Sequence, residues 1–198
     1  MGVPLGGIWD ILRNCIGDSG KTTPFELMIS ELDRANSIIT EFLSLTRNQP
    51  TKLKYQSLND ILNKLYPMLE ANAYHQNKQI EFIPGEVPNI QMDAKEIHQL
   101  VLNLCHNGLE AMKEQDCLTI RTFADNEKVV LSVQDKGCGI EVENVAKLGT
   151  PFFTTKESGT GLGLAMCYSI AASHNASIDV ETGPHGTTFF VRFNSCLR

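Results

Sequence analysis

"TPFFTTKESGTGLGLA", residues 150 to 165, sets glycine at 159, 161 and 163 directly ahead of an amphipathic helical pattern. Backbone N–H groups at a helix N-terminus, unobstructed by side chains, bind phosphate oxygens well. Thr154, Thr155, Lys156 and Thr160 add hydroxyls and a cation within reach of such an anion. The order is not G-x-G-x-x-G, and the helix does not follow a strand in a βαβ unit, so a Rossmann reading fails. A flexible loop capped by a helix is the plainer alternative that these residues leave open.

Working outward from this stretch, the period of the apolar residues assigns the neighbours. Downstream, "GLGLAMCYSIAASHN" is helical, and "ASIDVETG" with "GTTFFVRF" forms a hairpin around Gly183-Pro184. Upstream, "CLTIRTF" and "KVVLSVQD" alternate apolar and polar, which predicts antiparallel strands joined through Asp125-Asn126. A long helix covers Asp93 to Glu114, preceded by the short strands "QIEFI" and "NIQM". "SLNDILNKLYPMLEANAYHQN" is a further helix, with Pro67 as a point for a kink. Strands and helices grouped this way predict an α+β, two-layer sandwich with helices on one sheet face.

The pattern changes near residue 50. Residues 4 to 16, "PLGGIWDILRNCI", read as a short amphipathic helix, and 24 to 47 as a longer one. In the second, Phe25, Leu32 and Ile39 recur every seven residues, as do Met28, Ala35 and Phe42. Interleaved, they make a seam of the coiled-coil or bundle kind. Two helices bury such a seam poorly, so pairing with a second copy is its natural completion, through residues 4 to 47. "RNQPTKLKYQS" follows as a polar linker with a helix-stopping Pro50, giving a helical hairpin over 1–50 and a second domain over 54–198.

Composition excludes several classes. At 198 residues, 42% apolar and 20% charged, the chain is an ordinary globular one. A net charge of −6 without a basic cluster argues against a nucleic-acid partner. No apolar run approaches the roughly 20 residues that span a membrane. The six cysteines lack any C-x-x-C pair and read as thiols in a reducing compartment. "CIGDSGKT", residues 15 to 22, ends like a P-loop, but Cys15 stands where glycine is needed and a helix precedes it.

Two further stretches carry chemistry. In "VQDKGCGI", residues 133 to 140, a strand ends at Asp135 and glycines follow at 137 and 139. An ionised carboxylate there can accept from an exocyclic amine, while the glycines let a flat ring approach the backbone. In "NLCHNGLEAM", residues 103 to 112, Asn103 and Asn107 lie one turn apart on one helix face. An amide oxygen is a hard ligand suited to a nucleotide-bound Mg²⁺. His106 points about 100° away from Asn107 and has no acidic partner beside it, so it reads as a surface or satisfied histidine.

In this order, the Asn-x-x-x-Asn helix, D-x-G-x-G and F-F-T-T-K…G-T-G-L-G-L resemble the N, G1, F and G2 boxes of bacterial sensor histidine kinases. The resemblance covers roughly residues 54 to 198, and "GPHGTTFFVRF" is similar to the family's closing hairpin. It implies the Bergerat, or GHKL, ATP-binding sandwich, with sporulation-type and nitrogen-regulation-type kinases nearest in wording. It also implies ATP or ADP with Mg²⁺ as cofactors. By resemblance Asn107 binds the metal, Asn103 partners it, and these two with Lys156 form the catalytic set. Asp135 reads the adenine amine, with Gly137, Gly139 and Ile140 shaping its pocket and Thr187 adding a hydroxyl. Phe152 and Phe153 anchor a mobile lid that carries Thr154, Thr155 and Lys156. Gly159, Thr160, Gly161, Leu162, Gly163 and Leu164 form the turn around phosphate. Gly108 departs from the family's usual alanine, which loosens the helix by up to about 1 kcal/mol.

"ELMISELDRANSIITEFLSLTR" resembles the second helix of the family's dimerisation and phosphotransfer domain. The family phosphorylates a histidine in a motif like H-E-x-x-N-P-L, and "VPLGGIWDILRN" resembles the end of that motif and the helix beyond it. Five positions back from Pro4 falls before Met1, so the expectation is a cytoplasmic kinase core lying just downstream of its phosphoacceptor. Any membrane segment then lies outside it. The expected partners are a second copy and a response-regulator receiver domain. Related ATPases place a glutamate base where Asn103 stands, and an amide cannot take a proton from water. The open alternatives are a GHKL-type ATPase and a non-catalytic nucleotide-binding dimer module.

Overall fold

The computed structural model describes residues 51–156 and 159–195, and helical positions at 28–29, 32–33, 35–36, 38–39 and 42–43. The predicted helix over 4–16, the P-loop-like 15–22 and Phe25 lie outside the described residues. The chain divides into two compact units, Met1–Ile39 and Thr40–Arg198. In the first, Met28, Leu32 and Ile39 of the predicted seam are helical and exposed.

Beyond residue 50 the second unit begins with a strand that the sequence pattern did not reveal. β1 (Lys54–Gln56), read as polar linker, pairs antiparallel with β3 (Ile90–Met92) in a sheet of their own. Three residues with no apolar alternation carry too little signal for a strand assignment, and the pairing is fixed by tertiary contact. Gln56 completes the pairing by donating its side-chain amide to the Met92 carbonyl at 2.7 Å.

Between them, α1 (Leu58–His75) starts at Ser57, whose hydroxyl accepts from the Asp60 N–H at 3.2 Å. This is a side-chain N-cap of the usual kind. The helix runs on through Pro67, burying Leu58, Ile61, Leu62, Leu65 and Leu69 at three- and four-residue spacing. β2 (Gln79–Ile83) then enters the main sheet.

Asp93 caps α2 (Ala94–Ala111) by accepting from the Lys95 N–H at 2.9 Å. Its stripe Ile97, Leu100, Val101, Leu104, Cys105, Gly108 and Leu109 is buried, which turns the two asparagines to its edge. β4 (Cys117–Asp125) and β5 (Lys128–Gln134) form the predicted antiparallel pair. Asn126 adopts φ +55° between them, a left-handed conformation that asparagine tolerates. A short α3 (Val142–Val145) precedes α4 (Gly163–Ser173), and β6 (Ser177–Gly183) and β7 (Gly186–Asn194) close as the predicted hairpin.

The five-stranded sheet has the order β2-β4-β5-β7-β6, antiparallel except for the parallel β2–β4 pair. Alternation sends Leu118 and Ile120, Val129, Leu131 and Val133, and Phe189, Val191 and Phe193 to the helical side. There they meet α1, α2 and α4 in one core. Fully burying each such side chain contributes about 1.5–3 kcal/mol. The fold is thus the expected two-layer α+β sandwich, and α2, the end of β5 and the start of α4 meet along one margin of it.

Candidate functional site

Asp135 follows the last residue of β5 and is 5% exposed. Its Oδ1 accepts from the Gly137 N–H at 2.8 Å and the Thr187 N–H at 3.1 Å. Neither bond uses Oδ2. Burial pushes the carboxyl above the ordinary aspartate range, while the two backbone donors and the charge of Lys156 pull it down in part. The side chain is therefore oriented by fixed donors, with one oxygen outside those bonds.

A threonine missed by the sequence reading completes this end. Thr182 Oγ1 accepts from the Ile140 N–H at 2.8 Å and lies 3.0 Å from Thr187 Oγ1. The β6–β7 register sets Thr182 opposite Thr187, so the two hydroxyls meet across a hairpin pair. Nothing in the local sequence separates Thr182 from a surface threonine. Gly139 sits at φ +76°, and a Cβ there would fall 2.0 Å from the Gly183 carbonyl oxygen. The loop after Asp135 therefore lies directly against the β6–β7 turn, and only glycine fits that contact.

On α2 the two asparagines diverge in role. Asn103 donates through Nδ2 to the Gly163 carbonyl at 3.1 Å, and its Oδ1 accepts from Gln99 Nε2 at 3.0 Å. The first residue of α4 is thereby tied to α2. Asn107, half-buried one turn later, makes no side-chain hydrogen bond among the described residues. Gly108 packs so closely under β4 that a Cβ would lie 2.5 Å from Leu118 Cδ1 and 3.3 Å from Asp135 Cβ. The helix and the carboxylate are brought together by that missing side chain.

The glycine-rich stretch behaves as a turn into an open helix end. Gly161 takes φ +68°, and a Cβ would stand 2.4 Å from the Phe152 carbonyl carbon. Phe152, itself at φ +67°, donates its N–H to the Gly161 carbonyl at 3.0 Å. Within the second unit its exposed ring stacks on Phe42, a position of the predicted seam, at 5.7 Å between centroids. Phe153 lies under Lys147 Nζ, 5.5 Å from its ring centroid. Among the described residues no side chain caps α4; Leu162, its N-cap, is buried and its N–H donates to Thr160 Oγ1 at 3.3 Å. Leu164 packs against the core, while Gly159 closes a turn to the Lys156 carbonyl at 3.2 Å. Thr154 accepts from the Lys156 N–H at 3.1 Å, and Thr155 is exposed.

One expectation needs correcting. His106 does have an acidic partner: its Nε2 lies 3.1 Å from Glu110 Oε1, one turn along the helix. The other oxygen of Glu110 pairs with Lys156 Nζ. The i,i+4 spacing was present in the sequence and is the signal that should have found it. His106 remains a surface side chain, 61% exposed.

The donor set fits a magnesium nucleotide. An oriented carboxylate oxygen suits an exocyclic amine, an unpartnered amide oxygen suits a hard cation, and an uncapped helix N-terminus with a nearby lysine suits phosphate.

The profile of the family described as histidine kinase-, DNA gyrase B-, and HSP90-like ATPase matches residues 92–195. Sporulation kinase C of Bacillus subtilis strain 168 is 34% identical over 160 residues, 80% of this chain and 37% of that kinase. The chain thus spans about a third of the length of such relatives. The nucleotide-free catalytic domain of the histidine kinase ThkA is similar at TM-score 0.66 and 30% identity, over 72% of this chain and 95% of that one. ThkA in complex with the response regulator TrrA is similar at TM-score 0.76 and 25% identity, covering 96% of this chain and 56% of that one.

Proposed function

The chain belongs to the histidine kinase-, DNA gyrase B- and HSP90-like ATPase family, and from that premise we propose that it is the kinase core of a two-component sensor histidine kinase. In this reading it binds ATP with Mg²⁺ and passes the γ-phosphoryl to a histidine that its own five do not supply. A receiver-domain aspartate is the onward acceptor. The observation that carries the reading is Asn103. An amide, not a carboxylate, links α2 to the first residue of α4 at 3.1 Å. It holds the metal-binding helix against the phosphate turn and offers no base to activate water.

The other proposed roles follow the family resemblance and are compatible with the geometry. Asp135 Oδ2 accepts from the adenine amine, while Gly137 and Thr187 keep the carboxylate from turning. Thr182 holds Thr187 and Ile140 beside that contact. Asn107 would offer its amide oxygen to a nucleotide-bound metal, which would supply charge neutralisation to the phosphates. The N–H groups at the start of α4, with Thr160 and Lys156, orient the phosphate chain. For a loose phosphoryl-transfer transition state, such positioning and neutralisation are most of what a protein contributes.

The receiver-domain partner is supported by the ThkA–TrrA complex, and a homodimer by the exposed apolar helical positions Met28, Leu32 and Ile39. Both partners, and ATP itself, suit a cytoplasmic setting. The test is incubation with γ-labelled ATP, Mg²⁺ and a helical peptide carrying H-E-x-x-N-P-L. Acid-labile phosphate on the peptide histidine is the expected result. Steady release of inorganic phosphate without the peptide would instead favour the ATPase alternative.

A further inference from the structure

Glu110 lies near the C-terminal end of α2, three residues beyond Asn107. A carboxylate there faces the negative end of the helix dipole, where a cation is the stabilising choice. Helix stability therefore does not account for it. Both of its oxygens are engaged: Oε1 lies 3.1 Å from His106 Nε2, and Oε2 pairs with Lys156 Nζ. Lys156 belongs to the segment leading to α4, and its charge is felt at Asp135. The pair thus joins the metal-side helix to the phosphate-side loop across the site.

Resting on the reading that Lys156 meets phosphate, we propose that Glu110 is a positioning residue that holds the Lys156 ammonium beside α2 and competes for it with the nucleotide's outer phosphates. Carboxylate and phosphate oxygens are both acceptors for the same compact ammonium. The pair is 39% and 38% exposed, so water weakens it enough for a polyphosphate to displace it. His106 holds the second carboxylate oxygen, which keeps Glu110 in place after the lysine leaves. The loop is thereby kept near the site without nucleotide and set free to wrap the phosphates when nucleotide enters.

The test is calorimetric titration of Mg-ADP, a non-hydrolysable Mg-ATP analogue and adenosine into wild type, Glu110→Gln, Lys156→Met and the double variant. Glu110→Gln tightens both nucleotides about two- to fivefold. It leaves adenosine binding and the thermal midpoint unchanged. In the Lys156→Met background the tightening disappears. Equal tightening with and without Lys156 reduces Glu110 to simple repulsion of phosphate and overturns the proposal, as does weaker binding in Glu110→Gln. Absence of any ADP binding to wild type strikes at the nucleotide reading instead, so the two failures are distinguishable.

Discussion

The two ends of the site are built differently. Around Asp135, one carboxylate oxygen has two backbone donors, Thr182 and Thr187 meet across a strand pair, and Asp135, Gly137 and Thr187 are themselves buried. Around Phe152 to Gly161, most of the described residues up to Lys156 are exposed, Phe152 and Gly161 sit in the left-handed region, and the lysine rests in a solvent-facing ion pair. The first end is set by the sheet, the second by a loop held through a few exposed side-chain contacts, Phe152 on Phe42 and Lys156 on Glu110. A rigid end suits recognition of a flat base, and a loose end suits phosphates that must enter and leave.

Asp135→Asn gives the largest expected effect. Asparagine Oδ1 can keep both backbone bonds, but Nδ2 then presents hydrogens to the adenine amine. Affinity for ADP falls by about 1–3 kcal/mol, or roughly 5- to 150-fold, while the fold is retained. Wild-type affinity by calorimetry would place the base elsewhere.

A pair of glycine substitutions tests the contrast itself. Forcing alanine into the left-handed region costs about 1–2 kcal/mol at either site. At Gly139 the new Cβ also meets the Gly183 carbonyl of the β6–β7 turn, whereas at Gly161 it meets only the Phe152 loop backbone. Gly139→Ala is expected to lower both thermal midpoint and ADP affinity. Gly161→Ala is expected to lower ADP affinity with a much smaller change in midpoint. Equal falls in midpoint would mean that the two ends are equally rigid.

The pH response sharpens the difference further. Burial holds Asp135 above the ordinary carboxylate range, so on acidification it takes up a proton while an ordinary aspartate is still ionised. The ionised form accepts from adenine, so ADP affinity falls in that window, and Asp135→Asn lacks this acid limb. Stability has the opposite sign. The folded chain binds this proton more tightly than the unfolded one, so the Asp135 contribution is greatest below the ordinary range and declines as pH rises through the window. An affinity profile in the variant that matches wild type would sink the assignment.

These contrasts explain what could be read in the sequence. The long helices α1, α2 and α4, the two hairpins and the places of the Asn, Asp and Gly-rich stretches on them were legible because each has a local signal, a period, a turn pair or a spacing; the four-residue α3 was not. β1 was not, because its three residues show no alternation and their partners in β3 stand far along the chain, with Gln56 opposite Ile90. Thr182 was illegible for a like reason, since only strand register brings it to Thr187. The Glu110 partnership with His106 was legible at i,i+4 and overlooked; its second partner, Lys156, is a tertiary contact that spacing cannot show.

Gly108→Ala is the smallest effect and tests why this helix departs from the alanine the resemblance implies. Alanine in a helix interior gains about 0.8–1 kcal/mol over glycine. Against that, the added methyl would lie 2.5 Å from Leu118 Cδ1, the far end of a flexible side chain, and 3.3 Å from Asp135 Cβ. Leu118 is fully buried, so its shift disturbs neighbours in a dense core. The two effects oppose each other, and the expected net change in unfolding free energy is within about 1 kcal/mol. Because the contact to Asp135 is looser than the contact to Leu118, ADP affinity should change less than it does in Gly139→Ala. A loss of ADP binding without loss of stability would show that Gly108 sets the position of the carboxylate rather than the packing of the helix.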